Sequence, residues 1–157
     1  MNSDLEIRFI IAKSRYDLLE QAEKELLNLA ALAMQNAYAP YSNYAVGAAV
    51  RLSNNQVVIG ANQENAAYPS GICAERIAVF SAMAQFPNEQ ILEIAITTEI
   101  RHAHPVAPCG ACRQVIAEYE LKQSTPIKLI LGHTDGEVWI SASMENLLPL
   151  PFKLLDK

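Results

Sequence analysis

The chain predicts an α/β domain, and three observations carry that assignment. A long amphipathic helical pattern near the N-terminus is followed by a two-stranded hairpin pattern. Beyond the hairpin, short β-branched runs alternate with helix-length segments in the order strand–helix–strand–helix–strand. The two segments that hold every cysteine each open one of those helices.

Residues 5–11 are largely apolar with charges at Glu6 and Arg8, and they fit either a short strand or an arm that docks on a partner. Ser14, with Asp17 three residues on, has the form of a capped helix start. Leu18, Ala22, Leu26, Leu29, Ala33 and Ala37 then recur at steps of four and three, one apolar stripe that Pro40 ends. Residues 44–52 alternate by size. Tyr44, Val46, Ala48, Val50 and Leu52 point one way; Ala45, Gly47, Ala49 and Arg51 point the other, so some element packs closely on the small face.

Residues 53–56 supply turn chemistry, and 57–61 return as the second strand. A polar loop with Pro69 and Gly71 spans 62–72. A helix starts near Cys73 and runs to about Gln85, before Pro87. Residues 91–98 form a strand and 99–108 a loop. A second helix opens at Cys109 and Gly110 and runs to about Glu120. Strands at 127–131 and 138–140 flank Asp135-Gly136, a two-residue turn signal.

At 157 residues the chain makes one domain with a substantial core. Its net charge of -5 and lack of any basic cluster weigh against a nucleic-acid partner. No apolar run approaches a membrane span, and the N-terminus lacks the basic start and apolar core of a signal peptide. Three cysteines cannot all pair within one chain, so thiolates held by a metal in a reducing cytoplasm fit better than disulfides. The apolar share of 51% against 18% charged hints at surface buried between subunits.

The chemistry centres on Cys73-Ala74-Glu75-Arg76 and Pro108-Cys109-Gly110-Ala111-Cys112-Arg113. Right-handed crossovers bring the loops that precede both segments to one edge of the sheet, so the cysteines can meet across the sequence. Cys109 and Cys112, spaced i and i+3, share a face of the first helical turn. Three thiolates are one ligand short of a closed zinc site, which is the arrangement of a catalytic one. A water in the open position would be acidified, and Glu75 is placed to carry its protons. Two helix starts favour the thiolates, and Arg76 and Arg113, one beside each group, would temper their charge. A closed structural zinc with His102, His104 or His133 as fourth ligand is the competing reading, though it gives Glu75 no task. A redox pair at Cys109 and Cys112 is another.

These segments resemble the zinc-dependent cytidine deaminases, in particular the small homotetrameric class with three cysteine ligands; a three-cysteine site with a non-ligand glutamate is an established deaminase signature. The likeness runs from about Ala37 to Phe152. It covers Ala39-Pro40-Tyr41-Ser42, Val46-Gly47-Ala48-Ala49, Asn62-Gln63-Glu64-Asn65-Ala66-Ala67-Tyr68, both cysteine segments with Gln114, and Leu147-Leu148-Pro149. It implies a cytidine-deaminase-like three-layer α/β/α sandwich with a mixed five-stranded sheet, in one domain over 1–157 with 1–13 as an N-terminal extension of open role.

The resemblance further implies one Zn²⁺ per subunit on Cys73, Cys109 and Cys112, with Glu75 as catalytic proton shuttle. It implies substrate contacts at Asn62 and Glu64 (ribose hydroxyls), Ala66 (base, through its backbone), Tyr68 (sugar end), Tyr44 (near the base) and Phe152 (a neighbouring subunit's pocket). Two positions depart from the pattern: Tyr44 stands for the usual phenylalanine and Ala45 for the usual proline. The implied activity is hydrolytic deamination of cytidine and 2′-deoxycytidine in pyrimidine salvage, by a cytoplasmic homotetramer with no nucleic-acid or membrane partner. A cytosine-bearing antibiotic such as blasticidin is the alternative substrate, and Asn62 and Glu64 favour ribose over it.

Overall fold

The computed structural model describes residues 4–154. It contains β1 (Ala12–Arg15), α1 (Gln21–Met34), β2 (Val46–Leu52), β3 (Val57–Ala61), α2 (Ala74–Gln85), β4 (Ile91–Thr98), α3 (Gly110–Gln123), β5 (Lys128–Gly132) and β6 (Glu137–Ser141). The strands form one mixed sheet in the order β1-β6-β5-β4-β2-β3. Strand β2 is antiparallel to both β3 and β4, so those two run the same way, and β4 is parallel to β5. Helices α2 and α3 are therefore crossovers between like-directed strands, and the loops leaving β3 and β4 open on one sheet edge. Among the described residues, no helix is long and apolar enough to cross a membrane.

The three layers follow from the size alternation in β2. Ala49, on its small face, packs with Leu26, Leu27 and Ala30 of α1. Gly47 is needed there because a Cβ would overlap the Ala30 carbonyl. Ala48, Val50 and Leu52, on the opposite face, join Ala74, Ala78, Val79, Ile116 and Ala117 of α2 and α3.

Two expectations change. The sheet has six strands rather than five, because residues 12–15 pair antiparallel with β6, Ala12 opposite Ile140 and Arg15 opposite Glu137. The helix expected from Ser14 instead begins at Gln21, where Glu20 and Glu23 form a reciprocal capping box. Its buried face is Glu23, Leu26, Leu27, Ala30 and Ala33, and Leu18 is exposed. The helix also stops at Met34, ahead of Pro40. Strands β3 and β4 match the sequence expectation, and α3 runs three residues further than Glu120. Residues 5–11 adopt no regular element; the Ile10 N–H donates to Asn146 Oδ1, which fixes this segment beside the chain that follows β6.

Candidate metal centre

Cys73 is the N-cap of α2 and Cys109 the N-cap of α3, both with extended backbone. Neither helix start has a side-chain cap hydrogen bond, and each cysteine stands at the positive end of a helix dipole. The Sγ atoms of Cys73 and Cys109 lie 3.9 Å apart and those of Cys109 and Cys112 3.5 Å apart, with all three within 4.8 Å of one another. Sulfurs around a tetrahedral zinc at about 2.3 Å would sit roughly 3.8 Å apart, close to the two separations that Cys109 makes, so the donor set suits that ion. The separations are far beyond a disulfide, and all three cysteines are reduced. Among the described residues the cluster includes no histidine. His102 Nε2 is hydrogen-bonded to the Tyr44 hydroxyl at 2.9 Å, His104 stacks on Trp139, and burial together with Arg101 holds His133 below its usual pKa.

The thiols share protons unequally. A hydrogen bond from Cys112 and the nearby Arg76 bring Cys73 down to about 5, against the opposing effect of burial. Cys112 is pushed up, first by that bond with Cys73 and then by its own burial. Arg76 Nη2 lies 3.7 Å from Cys73 Sγ, while its buried Nε has no partner.

Glu75, one residue into α2, is 5% exposed yet lies outside the ligand group. Burial raises its pKa, and the Cys73 charge pushes the same way, while its own backbone N–H and the Cys112 thiol act against them. Arg113 has different partners from those expected. Its Nε donates to the Pro108 carbonyl at 2.7 Å and its Nη1 to the Leu147 carbonyl at 3.0 Å, so it braces the chain around the cysteines instead of facing a thiol.

The loop after β3 joins the cluster to a second group of residues. Gln63 and Ile72 form an antiparallel bridge, with N–H···O distances of 3.0 and 2.9 Å each way. Glu64 and Cys73 therefore flank one closed bridge. The Glu64 carboxylate accepts from the Ser42 hydroxyl and from the N–H groups of Tyr41 and Ser42. The Ser42 hydroxyl and then the Tyr41 N–H hold its pKa below the usual range. Tyr41, Ser42, Glu64, Asn65, Tyr68 and Gly71 line a cavity of about 360 Å³.

The Asn62 side chain is nearly buried, accepting from Val46 N–H at 2.8 Å and donating to the Tyr44 carbonyl at 2.9 Å. Its amide thus locks the start of β2. Tyr44 is half-buried with its ring against His102. Ala66, Tyr68 and Phe152 are exposed in the single chain, and Tyr68 meets Tyr41 edge-on. Ser42 and Gln114 make contacts that their residue types did not foretell, and His102, a candidate fourth ligand by sequence, meets Tyr44 instead. Ser42 and Gln114 do lie inside the quoted motifs, which is the one signal they carried.

A model of the cytidine and deoxycytidylate deaminase zinc-binding region matches residues 20–125. A cytidine deaminase of Halalkalibacterium halodurans is 38% identical over 131 residues, covering 83% of this chain and 94% of that protein. A crystal structure of cytidine deaminase from Burkholderia pseudomallei superposes with a TM-score of 0.72 at 38% identity, covering 85% of this chain and all of that one. The corresponding Mycobacterium tuberculosis structure gives 0.65 at 33% identity, over 83% and 96% of the two chains.

Proposed function

The chain belongs to the cytidine deaminase family, and from that premise we propose that it hydrolyses cytidine and 2′-deoxycytidine to uridine and 2′-deoxyuridine with release of ammonia. The observation that carries the reading is the convergence of three thiols at two helix starts, with a buried glutamate two residues after the first. Cys73, Cys109 and Cys112 would hold one zinc ion per subunit, which would supply the Lewis acidity that makes water a usable nucleophile near neutral pH.

Glu75 moves the protons. Its carboxylate accepts one from the attacking water and delivers it to ring N3 as oxygen bonds to C4. It then passes the second to the amine as the C4–N bond breaks, so water and the cytosine amine become the uracil oxygen and ammonia. Arg76 offsets the charge that the three thiolates accumulate.

Glu64, kept ionised by Ser42 and Tyr41, accepts hydrogen bonds from ribose hydroxyls, and Asn62 sets the strand end beside it. A carboxylate in the cavity repels phosphate, which favours a nucleoside over a nucleotide. Ala66 meets the base through its backbone, Tyr44 lies near the base, and Tyr68 covers the sugar end. The exposure of Tyr68 and Phe152 supports a homotetramer in which Phe152 completes a neighbouring subunit's pocket. Three reduced cysteines support a cytoplasmic enzyme of pyrimidine salvage, formed from one domain over 1–157.

Ammonia release from cytidine, deoxycytidine and deoxycytidylate tests this. Turnover of both nucleosides, with the nucleotide slower by a large factor, is expected. Preference for deoxycytidylate, or no release from any of the three, would overturn it.

A further inference from the structure

The first turn of α3 carries Cys112, and its next two residues bond to distant chain. Arg113 reaches Leu147. Gln114 makes a two-point contact with Phe152: its Nε2 donates to the Phe152 carbonyl at 2.9 Å, and the Phe152 N–H donates to its Oε1 at 3.0 Å. One side-chain amide thus occupies both main-chain groups of residue 152, as a neighbouring strand would. The chain from Leu147 to Leu154 forms no helix or strand, so no ladder fixes it. Yet Phe152 is 66% exposed. A surface aromatic whose main chain is gripped on both sides, while its ring is left in solvent, is presented outward in a set direction.

We infer that Gln114 is a positioning residue that aims the Phe152 ring at the pocket of a second copy of this chain. The helix that supplies Cys112 to one metal centre thereby sets the aromatic offered to another. The inference rests on the proposed role of Phe152, and the experiment separates the two.

Steady-state kinetics on the zinc-loaded full chain would compare Gln114→Ala, Phe152→Ala and the double variant, with zinc content measured on each. Gln114→Ala should raise KM by about three- to tenfold, the weight of one or two neutral hydrogen bonds, with kcat nearly unchanged. Phe152→Ala should raise KM at least as much. The double variant should match Phe152→Ala alone, because the clamp has nothing left to aim. Gln114→Glu keeps the acceptor for the Phe152 N–H and loses the donor, so it should fall between wild type and Gln114→Ala. Zinc content should stay at one per chain throughout.

If Phe152→Ala raises KM and Gln114→Ala does not, the clamp is refuted and the Phe152 role stands. If Phe152→Ala leaves KM unchanged, the Phe152 role fails and the inference goes with it. Multiplying effects in the double variant, or loss of zinc in Gln114→Ala, would show Gln114 acting elsewhere.

Discussion

Glu75 sits where a carboxylate is hardest to keep, buried beside two of the thiols on a helix face it shares with buried Ala78 and Val79. Nothing in packing calls for an acid there, since an apolar side chain would suit the core better. Its placement makes sense if the group handles protons. Glu75→Gln keeps the shape, removes the ability to carry a proton and leaves the thiols alone. That variant should bind one zinc, unfold at nearly the wild-type temperature and lose about 10²- to 10⁴-fold in turnover, measured by ammonia release. Cysteines and glutamate were legible in the sequence because spacing along a helix start fixes their geometry locally. The Leu147 contact of Arg113, the Glu64 contact of Ser42 and the Tyr44 contact of His102 were not, because they depend on chain that arrives from 22 to 58 positions away.

The elements show the same division. Val57–Ala61 and Ile91–Thr98 were readable because turn residues and β-branched runs bound them on both sides. The start of α1 was not. Ser14 and Asp17 imitate a cap, but residues 12–15 gain ladder bonds with β6, which is more than 120 positions away. Pairing across that distance outweighed a local cap.

Two glycines position the helices and separate folding from metal binding. A Cβ at Gly60 would come within 2.6 Å of the Ala74 carbonyl and 2.7 Å of the Ala78 nitrogen, at the start of α2. A Cβ at Gly47 would overlap α1, which carries no ligand. Gly60→Ala and Gly47→Ala should each destabilise by about 2–3 kcal/mol in denaturant titrations. Competition with a chelator on the folded fraction should show weaker zinc binding for Gly60→Ala only, because Cys73 moves with α2.

An ion-pair group also ties α1 to the sheet. Lys128 on β5 lies 2.7 Å from Glu23 and 2.9 Å from Glu93, and Arg51 lies 3.1 Å from Glu93. Burial opposes charge on Glu23, but Lys128 and the Glu20 N–H outweigh it and leave its pKa below normal. Burial likewise opposes charge on Lys128, and the two glutamates outweigh it and leave its pKa above normal.

Glu23 therefore contributes stability above its unfolded pKa, and this is lost as pH falls through the lower folded value. Lys128 contributes below its unfolded pKa, and this is lost as pH rises through the higher folded value. The pair stabilises across the neutral range between those limits. Lys128→Met should lower stability by about 2 kcal/mol at pH 7, less than a fully buried pair would lose because the lysine is partly solvated. The deficit should shrink toward pH 5 as the stranded Glu23 carboxylate takes up a proton, while Glu93 keeps Arg51, and thermal unfolding across pH would record it.

At the scale of the whole molecule, the sheet explains how residues far apart in sequence come to one place. Strands β3 and β4 point the same way, so the loops that leave them reach one edge, and each ends in a cysteine that caps a helix. The Gln63–Ile72 bridge then sets Glu64 a fixed distance along the same loop from Cys73. The three thiols, Glu75 and Glu64 thus depend on one topology rather than on separate local motifs. The most direct measurement strips the chain of zinc, restores the ion in steps, and follows ammonia release from cytidine against zinc per chain, with Glu75→Gln and Cys109→Ser carried alongside. Turnover should rise in proportion to zinc up to one per chain, stay near zero in zinc-loaded Glu75→Gln, and fall together with zinc content in Cys109→Ser. Full activity in the stripped protein, or in zinc-loaded Glu75→Gln, would contradict the account.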